Sequence, residues 1–183
     1  MSSLTGQFLI ASKELVDPNF HQSVVLLVQH SVQGAMGVIV NRPTPTTVAE
    51  AWEKITGEGC EVGGVVHLGG PCEGTVSVLH TDGDVSDIAV SDHLFFSANK
   101  DSIEQIVASP PDECRFFIGY AGWGPGQLEV EIGRGDWRLL PADLDFAFGQ
   151  QEELWETLGR KSGGLSVLAA LDIRHLPSDP TVN

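Results

Sequence analysis

Residues 24–28 read Val-Val-Leu-Leu-Val, an unbroken aliphatic run, and residues 38–40 form a second one after Gly34 and Gly37. With turn-forming residues 31–34 between them, the two predict a β-hairpin with a buried central strand, and the apolar run 8–11 adds a neighbouring strand. The second hairpin strand ends in Asn41-Arg42-Pro43, where Pro43 holds Arg42 extended and stops the ladder; a loop through Pro45 follows. Thr47 and Glu50 then have capping-box spacing, and Val48, Ala51, Trp52 and Ile55 recur at helical intervals before Gly57, which predicts a short helix. Residues 65–68, 76–79, 88–90 and 94–96 read as short strands, with Asp82-Gly83 as a tight turn. A second helix carries Ile103, Ile106 and Val107, capped by Asn99 and ended by Pro110-Pro111.

The Phe-Phe-Ile run within residues 115–120 predicts a core strand that enters the densest glycine cluster of the chain, residues 119–126. Beyond it the pattern is ambiguous. Leu128, Val130 and Ile132 alternate like a strand, while Leu128 and Ile132 also fit a helical pair; Pro125, the early Glu129 and Glu131 and the closing Gly133 favour a helix. Residues 137–140 read as a strand, 152–158 as a helix, 165–171 as an apolar segment of either type, and 177–183 as a loose tail. Clustered strands with irregularly spaced helices predict an α+β fold with a curled mixed sheet rather than strict βαβ alternation. The 183 residues suit one domain, 1–183.

Charge changes the functional picture. The chain carries 25 acids and 10 bases, a net charge of -15, and residues 46–114 hold 13 of the acids and 2 of the bases. Such a field repels phosphate backbones, which argues against direct nucleic-acid binding. Residues 1–11 have no basic n-region, and no stretch approaches the roughly 20 apolar residues of a membrane span. Three cysteines without a CxxC spacing do not suggest a disulfide framework. The expected setting is the cytoplasm, with no membrane partner.

No Walker A, GxGxxG, HExxH or GxSxG signature is present. The glycine cluster 119–126 could bring backbone N–H groups to an anion, or could simply turn the chain around Tyr120 and Trp123. Arg42, one of four bases before residue 115, could clamp a carboxylate or phosphate, or pair with Glu129 or Asp17. His30, His67 and His80 with Cys60 and Cys72 match no metal-ligand spacing, so no metal and no cofactor are expected. Cys72, beside Gly69-Gly70-Pro71, reads as an ordinary packed thiol, and Asp82, Asp84, Asp87 and Asp92 as a solvated face.

Taken together, Gly6-Gln-Phe-Leu-Ile-Ala11, Asp17-Pro-Asn-Phe20, Ser23-Val-Val-Leu-Leu, His30, Gly34-Ala-Met-Gly37, Asn41-Arg-Pro43, Gly69-Gly-Pro71, Val78-Leu-His80 and Gly119-Tyr-Ala-Gly-Trp-Gly-Pro-Gly-Gln-Leu-Glu129, with Glu131 and Trp137, resemble the YqgE/AlgH family of bacterial proteins. The resemblance implies a bifurcated mixed sheet curled into a pseudo-barrel with flanking helices, and a helix for residues 127–132. It implies little about function. The family is largely uncharacterised, and the label of transcriptional regulator descends from one member linked to polysaccharide production. The chain departs from the family pattern at Ser12-Lys13, where a Met-Pro pair is frequent, at Cys72, where a Val is, and in residues 82–92 and after Leu158.

Two functional expectations follow. The first is a non-enzymatic binding or regulatory protein for a small ligand or protein partner, with Asn41, Arg42, Tyr120, Trp123, Gln127 and Glu129 converging at the hairpin end and glycine loop. The alternative is an enzyme using Glu129 or His80 as acid or base and Arg42 as an anion clamp.

Overall fold

The computed structural model describes residues 3–150 and 152–170. Its strands are β1 (Gln7–Ala11), β2 (Val24–Ser31), β3 (Gly34–Ile39), β4 (Pro43–Thr47), β5 (Val65–Leu68), β6 (Cys72–His80), β7 (Ile88–Ala89), β8 (Phe95–Ser97), β9 (Cys114–Trp123) and β10 (Trp137–Pro141). The helices are α1 (Val48–Thr56), α2 (Lys100–Ala108), α3 (Gln127–Arg134), α4 (Leu144–Phe148) and α5 (Leu154–Ala170). The hydrogen-bonded order is β10-β1-β2-β3-β9-β6-β8-β7, with β5 also on β9 and β4 on β5. Only the β5–β9 pairing is parallel among these ladders.

The ten-residue β9 organises the sheet. Its end at Ala121, Gly122 and Trp123 pairs with β3, while earlier residues pair with β5 on one side and β6 on the other. The fold is α+β with a mixed sheet, but the expected pseudo-barrel is not formed. The order is open, running from β10 to the two-residue β7, and those strands do not pair with each other. The packing gives the reason. Along β1 and β2, Phe8, Ile10, Val24, Leu26 and Val28 enter one apolar cluster, while Leu9, Ala11, Val25 and Leu27 enter another on the opposite face. A barrel has one interior; this part of the sheet is covered on both sides.

Local chemistry accounts for most element ends. Thr47 and Glu50 form the expected capping box, and Gly57 closes α1 in the left-handed region at φ 77°. Residues 127–134 are helical, closed by Gly135 rather than Gly133. β3 ends at Ile39, before Pro43 is reached, and Pro43 opens β4 instead of a loop: β4 pairs only with β5, so the missing proline N–H lies on a sheet edge. Asn99 precedes α2 without a side-chain cap. The carboxylate of Asp87 takes that place, accepting from the Ala98 and Asn99 amides at 2.7 Å each and from the Ser102 hydroxyl at 2.8 Å. Helix α5 joins the expected 152–158 helix to the apolar segment as far as Ala170, running through Gly159, Gly163 and Gly164. Residue 171 and the tail 177–183 lie outside the described residues. Among the described residues no helix is long and apolar enough to cross a membrane.

Candidate functional site

At the end of β9 the chain turns through residues 124–126 into α3. Gln127 Oε1 accepts from the Gly124 amide at 3.1 Å, and Gln127 Nε2 donates to Glu131 Oε1 at 2.9 Å. The other Glu131 oxygen accepts from the indole N–H groups of Trp123 at 2.9 Å and Trp137 at 2.8 Å. One carboxylate thus ties β9 to β10 through two tryptophans. Phe20 stacks on Trp123 at 5.9 Å and meets Trp137 edge-on at 5.4 Å, closing the apolar side of the same cluster. Glu129 faces His30, with Nε2 and Oε1 2.9 Å apart. Because His30 Nδ1 accepts the Leu4 amide at 3.1 Å, its proton sits on Nε2, and this contact is a neutral imidazole donating to a carboxylate. The helix backbone N–H of Glu129 and the His30 donor hold the Glu129 carboxyl below the ordinary range.

Asn41 and Arg42 follow the other end of β3. Asn41 Oδ1 accepts from the Val24 amide at 2.8 Å and its Nδ2 donates to the Gln22 carbonyl at 2.9 Å. Arg42 donates to the carbonyls of Asn19 at 2.6 Å and His21 at 3.1 Å. No ion pair joins it to Glu129 or Asp17; burial pushes its guanidinium pKa down, and Asp17 opposes this only through its field. Together the two residues fasten the segment before β2, and that segment delivers Phe20 to the tryptophan pair. Five of the six sequence-derived residues, Asn41, Arg42, Trp123, Gln127 and Glu129, therefore have internal partners, in two groups bridged by Phe20. Tyr120 stands apart, on the outward row of β9 with Ile118, against Gly74 and Gly122.

The residues of the enzymatic alternative do not share partners. His80 is fully buried and contacts Ser97 Oγ through Nε2 at 2.9 Å. The Ser97 hydroxyl donates to the Val85 carbonyl at 2.8 Å, so its oxygen is free to accept from His80 Nε2. Burial lowers the His80 pKa, with Asp82 and Asp87 opposing. Its hydrogen bonds, those of Glu129 and those of Arg42 have no partner in common. Among the described residues no group of three or more His, Cys, Asp or Glu could hold a metal ion.

Within the glycine cluster, Gly119 serves backbone approach. Gly70, at φ 157°, lies so close to the Tyr120 backbone that a Cβ would collide with it, and a Cβ on Gly119 would come within 2.8 Å of the Cys72 carbonyl oxygen and 2.9 Å of that of Gly70. This contact sets residues 69–72 beside β9.

The opposite row of β9 forms a different surface. Phe116 lies level with Val78 and packs with Val66 beneath Val48, Ala51, Ile103 and Ile106 of α1 and α2. Two residues further along the same face, Ile118 lies level with Leu68 and Val76, beyond the reach of the helices. Ile118 is 41% exposed and Ile55, on the last turn of α1, 60%. A cavity of about 550 Å³ lies here, lined by Trp52, Ile55, Val76, Ile103 and Ile118. It continues past Gly74 toward Pro71 and Cys72, and on the other side into a cavity of about 910 Å³ that Glu58, Glu61 and Glu104 flank.

A family model described as AlgH-like matches residues 8–166. The chain belongs to this family. Among AlgH-like relatives, UPF0301 protein CT0663 of Chlorobaculum tepidum is 39% identical over 166 residues, covering 87% of each chain. UPF0301 protein SCO2948 of Streptomyces coelicolor is 36% identical, covering 100% of this chain and 97% of its own. The solution structure of AlgH from Pseudomonas aeruginosa superposes with a TM-score of 0.73 at 31% identity over 97% of both chains. The crystal structure of DIP2367 from Corynebacterium diphtheriae, at 23% identity and a TM-score of 0.71, shares the fold.

Sequence reasoning missed two features of this AlgH-like chain. Arg115, 7% exposed, donates to the carbonyls of Val40 at 3.1 Å, Phe148 at 2.7 Å and Gly149 at 2.9 Å. Burial lowers its pKa to about 10, with Glu113 opposing. A lone base inside the apolar β9 run was the available signal. The groove was the other: Ile55 belongs to the apolar stripe of α1, and sequence cannot say that the sheet beneath it runs on further than the helices.

Proposed function

We propose that this AlgH-like protein is a non-enzymatic regulatory binding protein of the cytoplasm, which holds a basic, amphipathic segment of a partner protein in the groove between α1, α2 and the outward row of β9. The observation that carries this reading is the exposure of Ile55 and Ile118 on one apolar cavity. Apolar side chains on such a surface favour a partner that removes them from water. The acids set the sign. Glu58, Glu61 and Glu104 flank the groove, and its one base on α2, Lys100, is already paired with Glu104 at 3.4 Å. A segment with lysines or arginines beside an apolar face complements both features. Tyr120, beside Gly74, extends the same surface, while the other five sequence-derived residues hold the framework. Regulation then proceeds through protein contact, without direct contact to nucleic acid, whose phosphates the net charge of -15 repels.

Fluorescence anisotropy with a labelled 18-residue amphipathic Leu/Lys peptide tests this. Saturable binding is expected, reduced about tenfold or more in Ile55→Asp and in Ile118→Asp, and absent for the matched Leu/Glu peptide. Equal binding of the two peptides, or Leu/Lys binding indifferent to both substitutions, refutes the groove. Duplex DNA binding at low salt would refute the exclusion of nucleic acid.

A further inference from the structure

A second cavity, away from the groove, has the opposite charge. It lies where β1 ends against β10 and α5, has a volume of about 470 Å³, and is lined by Lys13, Arg138 and Arg160, with Glu156 as the single acid. Arg138 is level with Ile10 across the β1–β10 ladder, and Trp155 donates its indole N–H to the Ala11 carbonyl at 2.7 Å, which fixes α5 against the strand end. Three of the chain's ten bases thus converge on one concavity of a protein with a net charge of -15. Among the described residues none of the three makes an ion pair, although Lys100 and Arg134 elsewhere do. Ser12 lines the same cavity. It is 8% exposed, and its hydroxyl makes no hydrogen bond within the described residues.

We infer that this cavity binds a small phosphorylated ligand, an activity separate from docking in the groove. Two arginines and a lysine without carboxylate partners offer forked and point donors to phosphate oxygens, and the Ser12 hydroxyl adds a neutral donor at the wall. The volume falls in the range of small-molecule sites and exceeds what one phosphate group would fill. Ile10 and Trp155 supply apolar wall for the remainder of the ligand. Gly159 lines the cavity, and Gly163 lies beside Arg138, where a Cβ would sit 3.5 Å from Nη1, an ordinary contact that places the guanidinium against α5. A macromolecular polyanion is disfavoured, because the net charge of -15 opposes it and the three bases of the cavity match only a small anion.

Isothermal titration of the full chain with ADP, pyrophosphate and adenosine at 50 and 300 mM salt tests the inference. Binding of ADP or pyrophosphate is expected, weakening at the higher salt, with adenosine at least about tenfold weaker than ADP. The Arg138→Gln/Arg160→Gln double variant should lose about tenfold or more in affinity, while Lys161→Gln, whose ammonium lies over the Phe146 ring, should retain it. No heat and no thermal shift with either phosphate compound at millimolar concentration overturns the site. So does adenosine binding as tightly as ADP, or phosphate binding that survives the double substitution. Circular dichroism on the variants separates loss of the site from loss of the fold, and Ser12→Ala, with no hydrogen bond to break, supplies a second variant that should weaken phosphate binding without moving the melting temperature.

Discussion

The two halves of the sheet differ in how they are covered. Strands β1, β2 and β3 bury side chains on both faces, whereas β5, β6 and β9 have helices over only part of their outer row. The difference shows in the side chains. Residues 24–28 are apolar without interruption, while in β9 exposed Ile118, Tyr120 and Gly122 alternate with buried neighbours. A face covered along its whole length has no surface left to offer, and the binding surface begins where the covering helices stop.

Substitutions can break this contrast. Leu26→Ala, in the doubly covered half, should destabilise the protein by about 2–5 kcal/mol in urea unfolding, because the cavity left behind cannot collapse from either side. A loss below about 1 kcal/mol would show that the second layer is not packed. Arg115→Met comes next, at about 1–3 kcal/mol by calorimetry, since the buried Val40 carbonyl and the half-buried Phe148 and Gly149 carbonyls each lose a hydrogen bond from the guanidinium. It also frees the end of α4 from β3, so a substitution with no effect would mean that the two halves are not joined there.

The pH dependence sharpens the comparison at the α3 corner. The folded pKa of Glu129 is depressed, so in the acid range the unfolded chain binds more protons at this site than the native one. Its contribution is fully present above the unfolded value of about 4.3 and is lost as pH falls through the folded value. Glu129→Gln should therefore flatten the rise of stability with pH below about 4.5 and change nothing in slope at neutral pH. An unchanged acid slope would exclude the Glu129 carboxylate, held by its helix amide and by His30, as its source. The smallest effect is expected for Ile118→Ser, within about 0.5 kcal/mol of the parent in urea unfolding despite the loss of a large apolar side chain. A loss comparable to that of Leu26→Ala would mean that Ile118 is covered in solution.

What sequence revealed follows the range of the forces involved. The hairpin, the α1 capping box and the left-handed glycine after α1 depend on residues a few positions apart, and all were legible. The α2 cap was not, because Asp87 reaches it from twelve residues away across a strand. Pro43 suggested a loop and not the start of β4, which exists only because β5 comes alongside. The glycine-rich string 119–126 and Asn41-Arg42 were visible as unusual residues, yet their partners, the Cys72 carbonyl and the carbonyls of Asn19 and His21, lie on other segments. Tyr120 and Trp123 looked adjacent in the string; strand periodicity puts them on opposite rows. The open sheet is the largest such case, since closure depends on whether the first and last strands in spatial order meet.

The position of β1 has a consequence for how the chain is made. It lies between β2 and β10, and its partners on β10 run from Trp137 to Pro141, so residue 7 waits for residue 141. During synthesis β1 can zip onto β2 early, leaving its other edge as an unpaired template for most of the chain's emergence. Such a long-range closure is slow because loop entropy must be overcome before the strand pairs. Chains halted after β9 are expected to pellet on centrifugation, and chains extended through β10 to remain in the supernatant.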